Sequence, residues 1–487
     1  MKLSDPTLLR AQVLIGGIWR DGTDGTRLPV RDPASGTEIG SVPQCTVADV
    51  GDAITAAHDA FLTWRSTPAK QRAQCLRRWF DLMLLHREDL ATIMVSEQGK
   101  PLAEARAEID YAASFIEWFA EEARRVYGDV VPSPWADRRM LTLKQPVGVA
   151  ALITPWNFPA AMLTRKAGAA LAAGCTVVAK PASQTPFTAL ALAELALRAG
   201  MPPGVVNIVT GDAETIGPVL TSHPLVRKVS FTGSTAVGKR LLQECAASLK
   251  HVSLELGGNA PFIVFDDADI DAAVAGALAS KYRNSGQTCV CANCLFVQDG
   301  VYDAFAEKFS AAARALRVGN GFDPGVEIGP LINDTALARV ENYVADALSH
   351  GATLLAGGAR HALGGHFYQP TVLGEAHPAM DACRNEIFGP VASLIRFHDE
   401  VEVIRQANAS EFGLAAYAYT RDLGRAWRLG EQLQYGMVGI NAGLISTAEA
   451  AFGGVKQSGL GREGGRYGID EYLETKYVNL GGLGLGA

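Results

Sequence analysis

The chain has 487 residues, enough for two or three domains at roughly 100–200 residues each. Its formal net charge of −7 offers no basic excess for nucleic acid or an anionic membrane. Its longest low-polarity run, Ala167–Ala179 between Lys166 and Lys180, falls short of the ~20 residues that a bilayer span needs. Met1–Arg20 has no continuous apolar stretch before a small-residue cleavage site, so the chain reads as a soluble, cytoplasmic protein. Glycine is the outlier: 51 residues among a composition that is 48% hydrophobic and otherwise ordinary. Against a typical share of ~7%, that excess points to backbone that turns sharply or approaches a ligand closely.

No repeat and no Pro/Ser linker divides the chain. The first hundred residues read as a β-rich start followed by helices, and Thr46–Trp64 carries Val50, Ile54, Ala57 and Phe61 at helical spacing. Next come an apolar run Val147–Thr154, a helix Ala160–Ala173 and a strand Cys175–Ala179. A helix Pro186–Ala199 and strands Val205–Val209 and Val226–Phe231 follow, the last leading to Gly233. Apolar strands separated by helices predict a parallel sheet covered on both faces. A second α/β region opens near Ala260, with a helix from Ile270 to about Asn284, a strand Leu295–Gln298 and a helix from Val301 to about Arg317.

Chemistry-bearing residues cluster at the junctions. Cys289 follows the Gly-containing turn Asn284-Ser-Gly-Gln-Thr, where backbone amides can stabilise a thiolate and an oxyanion. Taken alone, such a cysteine is more often a small buried hydrophobe. Glu255 sits among Leu254, Leu256 and a Gly-Gly turn, apolar surroundings that raise proton affinity and suit a general base or, alternatively, a structural ion pair. Asn157 stands between prolines in PWNFP; its amide can donate to an oxyanion or simply bond its own turn. Phe231-Thr-Gly-Ser-Thr would set amides at a helix N-terminus toward a phosphate, though the G-x-G-x-x-G fingerprint is absent.

Together, PWNFP, AKPASQTP, FTGST, LELGGNAP, NSGQTC, EIFGP and FGGVKQSGLGRE resemble the motifs of the aldehyde dehydrogenase superfamily in order and spacing. The resemblance runs from Ile15 onward and implies an α/β fold of three parts. These are a Rossmann-like nucleotide-binding domain (1–123 and 146–255), an α/β catalytic domain (256–450) and a small β oligomerisation arm (124–145 and 476–487). It implies a homo-oligomer as well, a tetramer first and a dimer second.

By the same resemblance, Cys289 attacks an aldehyde, Asn157 holds the oxyanion, and Glu255 activates the water that hydrolyses the thioester. The presence of Glu255 argues against coenzyme-A-acylating relatives. Lys180, Gly233, Ser234 and Glu386 match residues that hold a dinucleotide, and Trp156, Leu256 and Phe388 match its nicotinamide half. NAD-preferring relatives often carry glutamate where Ser183 stands, so NADP is expected, with NAD possible. Arg165, eight residues beyond Asn157, Arg283, six before Cys289, and Ser446 resemble the carboxylate clamp of succinate-semialdehyde dehydrogenases. The substrate implied is a small aldehyde with a distal carboxylate; glutarate semialdehyde is the alternative, one methylene longer. Relatives commonly carry other residues at Cys294, and a proline at Ala451.

Three cysteines crowd at Cys289, Cys291 and Cys294. A zinc site wants four ligands and no paired Cys/His module stands elsewhere, so no metal is expected. A Cys289–Cys291 disulfide would switch the nucleophile off if the loop reached bridging geometry. A non-catalytic protein retaining the fold is the alternative of another class, and the intact set of catalytic residues speaks against it.

Overall fold

The computed structural model describes residues 1–483. Two large sheets organise it. The first runs, in spatial order, Gly459–Leu460, His251–Glu255, Val226–Thr232, Val149–Ile153, Thr176–Lys180, Val206–Ile208, Val13–Ile15 and Ile18–Arg20. Its five central strands are parallel, as the alternation of strand and helix predicts. Both margins depart from that expectation: the N-terminal hairpin and Gly459–Leu460 pair antiparallel. A strand laid on an edge from a hairpin or a remote loop needs no helical crossover, so nothing forces it to run parallel.

The second sheet runs Thr353–Ala356, Thr371–Gly374, Val391–Phe397, Ala292–Gln298, Ala260–Val264, Ala415–Tyr419 and Met437–Ile440. Only its Thr353–Ala356 margin is antiparallel. The strand His251–Glu255 of the first sheet leads through Leu256–Asn259 straight into Ala260–Val264 of the second, so the carboxyl end of one sheet faces the amino end of the other. A separate three-stranded antiparallel sheet is built from Val130–Val131, Arg139–Pro146 and Leu473–Leu480.

Local sequence explains the helices. Val47–Trp64 starts at a capping box, in which Thr46 and Asp49 satisfy each other's backbone amides, a device worth about 1 kcal/mol. Its predicted apolar positions Val50, Ile54, Ala57 and Phe61 are all buried. Ala161–Ala173 is buried on every side, which places Arg165 and Lys166 in the interior and obliges each to find a counter-charge. The helix expected to reach Asn284 stops at Tyr282, because Asn284 and Ser285 adopt left-handed backbone. Among the described residues, no helix is long and apolar enough to cross a membrane.

Candidate active site

Four neighbouring parallel strands of the first sheet end at predicted site residues. Glu255 closes His251–Glu255, Gly233 follows Val226–Thr232, Asn157 follows Val149–Ile153, and Lys180 closes Thr176–Lys180. Ligands of open α/β sheets bind at these carboxyl ends. Facing them, Gly258, Cys289 and Glu386 each precede a strand of the second sheet. Between the two lies a cavity of about 320 Å3 that brings together Trp156, Asn157, Gly233, Ser234, Leu256, Cys289, Glu386 and Phe388. Lys180, Ser183, Glu255, Arg165, Arg283 and Ser446 do not line it. Asn333 and Arg339, which do, were not recognisable from sequence: Asn333 caps, and Arg339 lies on, an ordinary helix, Asp334–Ser349, that only folding brings here. A larger cleft, about 640 Å3, opens beside Cys294 and Cys383 and holds none of the predicted site residues.

The turn before Cys289 is strained. Asn284 and Ser285 have φ of 52° and 57°, a conformation that costs side-chain-bearing residues of order 1–2 kcal/mol each. Hydrogen bonds hold them there: Glu104 accepts from the Asn284 amide at 2.8 Å, and Gln98 donates to its side-chain oxygen at 3.0 Å. The Asn284 amide group in turn donates to the Asn157 carbonyl at 3.0 Å, coupling the two loops. Two glycines permit the packing. A Cβ on Gly286, itself at φ +73°, would stand 2.1 Å from the Gly389 oxygen, and one on Gly258 would stand 2.2 Å from the Cys289 oxygen.

Cys289 is half-buried. Burial pushes its thiol up to about 12; Arg165 and Arg283 pull it down, while Glu386 and Glu255 push it further up. The cofactor-free protein therefore holds a thiol at neutral pH, not a thiolate. Alkylation by iodoacetamide is expected to rise about tenfold per pH unit from 7 to 9. A rate already at its plateau at pH 7 would contradict this.

Asn157 donates one amide hydrogen to the Gln287 carbonyl at 3.0 Å and keeps a second for another acceptor. Its backbone oxygen is gripped by the buried Lys100 ammonium at 2.8 Å. Glu255 is 2% exposed, and neither carboxylate oxygen has a hydrogen-bond partner. Burial, then the charge of Glu463, raises its proton affinity well above the ordinary value, against Arg165, Lys166 and Arg462. Glu463 closes the last predicted motif and is a buried residue whose importance the sequence did not single out. It is ion-paired with both Arg165 and Lys166. Burial works against its charge, yet those two cations hold it below the usual carboxylate range.

Groups in the cavity and beside it suit a dinucleotide. Lys180 is buried, and its ammonium makes only a long hydrogen bond, 3.4 Å, to Pro181; a buried cation so poorly partnered fits an anionic or polyhydroxyl ligand. Ser183, half-buried three residues on, donates to the Gly211 carbonyl at 3.3 Å. Ser234 caps the helix Thr235–Ala246, whose first turn aims backbone amides and a partial positive charge outward. Phe388, at φ 56°, stands edge-on to Trp156 at 5.4 Å. Glu386 accepts from the Gly258 amide at 3.0 Å, and burial pushes its carboxyl up to about 7 against the pull of that amide and Arg339.

The three residues expected to form a carboxylate clamp differ. Arg165 is 1% exposed, stacks over Phe452 at 4.3 Å and pairs with Glu463; its Nη2 is buried with no partner. Arg283 is half-buried over Phe158 at 5.1 Å and enters no ion pair among the described residues. Ser446 is half-buried on the loop after Met437–Ile440, and its neighbour Ile445 packs in the same cluster as Cys289 and Phe452. The other two crowded cysteines turn elsewhere. Cys291 is buried against the Lys281 ammonium at 3.2 Å, and Cys294 points its thiol at the Cys383 carbonyl at 3.1 Å. All eight cysteines are free thiols. Among the described residues, no group of His, Cys, Asp and Glu could hold a metal ion.

Comparison with known proteins agrees with this geometry. The chain is 61% identical to a succinate-semialdehyde dehydrogenase [NADP(+)], GabD, of Escherichia coli over 481 residues, covering 99% of this chain and 100% of that protein. It is 60% identical to a glutarate-semialdehyde dehydrogenase of Pseudomonas aeruginosa over 483 residues, again 99% and 100% of the two chains. A solved E. coli structure described as an NADP-dependent enzyme superposes with a TM-score of 0.98 at 61% identity, covering 99% of this chain and 100% of that one. The family model for aldehyde dehydrogenases matches residues 19–478. The chain belongs to the aldehyde dehydrogenase family.

Proposed function

We propose that the protein oxidises succinate semialdehyde to succinate with NADP(+) through a covalent Cys289 intermediate. The observation that carries the substrate is Arg283: a half-buried guanidinium over Phe158 that enters no ion pair among the described residues and acts on Cys289 together with Arg165, whose Nη2 is unpartnered. A carboxylate arriving at the far end of the aldehyde satisfies both. Once the Cys289 thiol has passed its proton to water, the sulfur attacks the carbonyl carbon, forming the S–C bond of a thiohemiacetal while the C=O π pair moves onto oxygen as an oxyanion. The spare Asn157 N–H and the Cys289 backbone amide hold the oxyanion. NADP(+), when bound, would supply the hydride acceptor for oxidation of an adduct held on Cys289 to the thioester level. Glu255, with its high proton affinity, takes a proton from water; the resulting hydroxide attacks the thioester, and the C–S bond breaks to release the acid and the free thiol.

Lys180, Ser183, Gly233, Ser234 and Glu386 would hold the dinucleotide, with Trp156, Leu256 and Phe388 around its nicotinamide. The 2′-phosphate of NADP would meet Lys180 and the Ser183 hydroxyl and no carboxylate at position 183. Asp212 is the charge that opposes it: its carboxylate acts on Lys180 while capping the next helix through the Thr215 amide at 2.9 Å. Asp212→Ser keeps a capping hydroxyl and removes that charge. It is expected to raise the ratio of kcat/KM for NADP over NAD about fivefold, the worth of about 1 kcal/mol between partly screened like charges. An unchanged ratio would place Asp212 outside the cofactor's field.

A second reading is glutarate semialdehyde, carried by the Pseudomonas aeruginosa relative; one methylene is worth only ~1–3 kcal/mol of discrimination. A panel of aldehydes with both NADP and NAD, read as kcat/KM, tests all of this. Preference for a neutral aldehyde, or for NAD, would overturn the respective assignment, and no aldehyde-dependent NADPH at all would indicate a non-catalytic protein.

Residues 1–123 and 146–255 would then bind the nucleotide and 256–450 carry the nucleophile. Residues 124–145 and 476–487 would form an arm that joins copies of the chain, in a tetramer or, failing that, a dimer; positions 484–487 lie outside the described residues. The exposed Val130, Leu143, Tyr477 and Leu480 on the three-stranded sheet support that use. Eight free cysteines suit a reducing cytoplasm.

A further inference from the structure

Tyr111 on the helix Leu102–Glu122 has a hydroxyl that is buried and makes no hydrogen bond. Its ring is fixed edge-on against Phe115 at 4.9 Å, so the hydroxyl is aimed by packing. Two contacts locate it. One turn earlier, Glu108 accepts from the Ala160 and Ala161 amides at 3.0 and 3.3 Å, at the start of the helix that carries Arg165. One to two turns later, Ile116 and Phe119 close on Gly168 of that same helix, 3.3 and 3.2 Å from where its Cβ would be. The two helices therefore run side by side in the same direction, and Tyr111 falls level with Thr164 and Arg165.

The charges agree with that register. Arg165, Arg283 and Cys289 all act on the Tyr111 hydroxyl, with Glu463 further down, and burial keeps the phenol protonated over the working pH range. A phenol can donate or accept, whereas a guanidinium can only donate. Two donors that act on Tyr111 have capacity to spare: Arg165 keeps an unpartnered Nη2 and Arg283, over Phe158, enters no ion pair among the described residues. A buried polar group left without a partner is costly enough to call for an explanation. A carboxylate brought by the substrate would give the Tyr111 hydroxyl, the Arg165 Nη2 and Arg283 a shared acceptor.

We propose that Tyr111 is a specificity-determining residue whose hydroxyl donates a hydrogen bond to the distal carboxylate of the aldehyde, alongside Arg283 and Arg165. This rests on the reading that the substrate carries such a carboxylate. A site that hydrogen-bonds one substrate group rejects the analogue lacking it, because its own buried donors are then stranded. Tyr111 thus acts by selecting the anionic aldehyde and takes no part in bond making.

Tyr111→Phe keeps the ring and its packing and removes only the oxygen. For succinate semialdehyde, KM is expected to rise about tenfold with kcat within about twofold, while butanal, which has no carboxylate, keeps its KM. Competitive inhibition by succinate should weaken by the same factor. Equal effects on both aldehydes, or none on either, would overturn the assignment and leave Tyr111 a packing residue. Arg283→Ala assayed in parallel separates the two ideas. Discrimination lost in Arg283→Ala but kept in Tyr111→Phe defeats the Tyr111 assignment alone. If neither variant nor the parent protein distinguishes succinate semialdehyde from butanal, the carboxylate reading itself fails.

Discussion

Replacing Glu255 by glutamine is expected to lower steady-state turnover about a thousandfold while preserving a rapid burst of NADPH equal to the active-site content. The burst survives because attack by Cys289 and loss of the hydride precede the step that needs a base on water; the loss is that of a general base acting on a bound thioester. Stability should change little. Glu255 has no side-chain hydrogen-bond partner among the described residues, and burial and Glu463 raise its proton affinity, so glutamine, of the same shape and uncharged, breaks no bond and adds no buried charge. Glu463→Gln makes the contrast, since it strands Arg165 and Lys166 in the interior at a cost of about 3–5 kcal/mol. Rapid-quench measurement of the burst beside thermal unfolding of both variants checks the pair. Turnover without a burst, or with its rate unchanged, would remove Glu255 from deacylation.

Arg283→Ala should raise KM for succinate semialdehyde about a hundredfold, in line with the 2–5 kcal/mol lost when one partner of a buried charged pair is cut away. Butanal should lose no more than about threefold. The prediction for Arg165→Ala differs, and the structure is the reason. Arg165 is the counter-charge of Glu463 and is packed on Phe452, so its removal should lower Tm and reduce kcat/KM for both aldehydes. Steady-state kinetics with the two aldehydes separates these roles: a loss in Arg283→Ala that is equal for both would refute the clamp.

Much of the fold was legible because parallel strands buried on both faces read as continuous apolar runs, while capped helices announce themselves by spacing. Val226–Thr232, Pro186–Arg198 and Ile270–Tyr282 therefore lie within a few residues of where periodicity places them. The helix that overran to Asn284 marks where that logic stops. Its last residues are bent into left-handed backbone by Gln98 and Glu104, which are remote in sequence, and no local pattern encodes a remote restraint. Asn333, Arg339 and Tyr111 escaped for the same reason: each lies on an ordinary helix, and only packing turns it toward the site.

The glycine excess shows the division most clearly. Sequence by itself determined that this chain is an aldehyde dehydrogenase, because short motifs around glycine, proline and a few reactive side chains are local chemistry written in order. It also showed that backbone must come close to something. The tertiary structure decided what comes close: the Cys289 carbonyl against Gly258, and the Gly389 carbonyl against Gly286. It decided the state of the charges too, pairing Arg165 with Glu463 and leaving Arg283 in no ion pair among the described residues. Proton affinity and charge pairing depend on burial and on neighbours brought from distant parts of the chain, and neither exists until the two sheets meet.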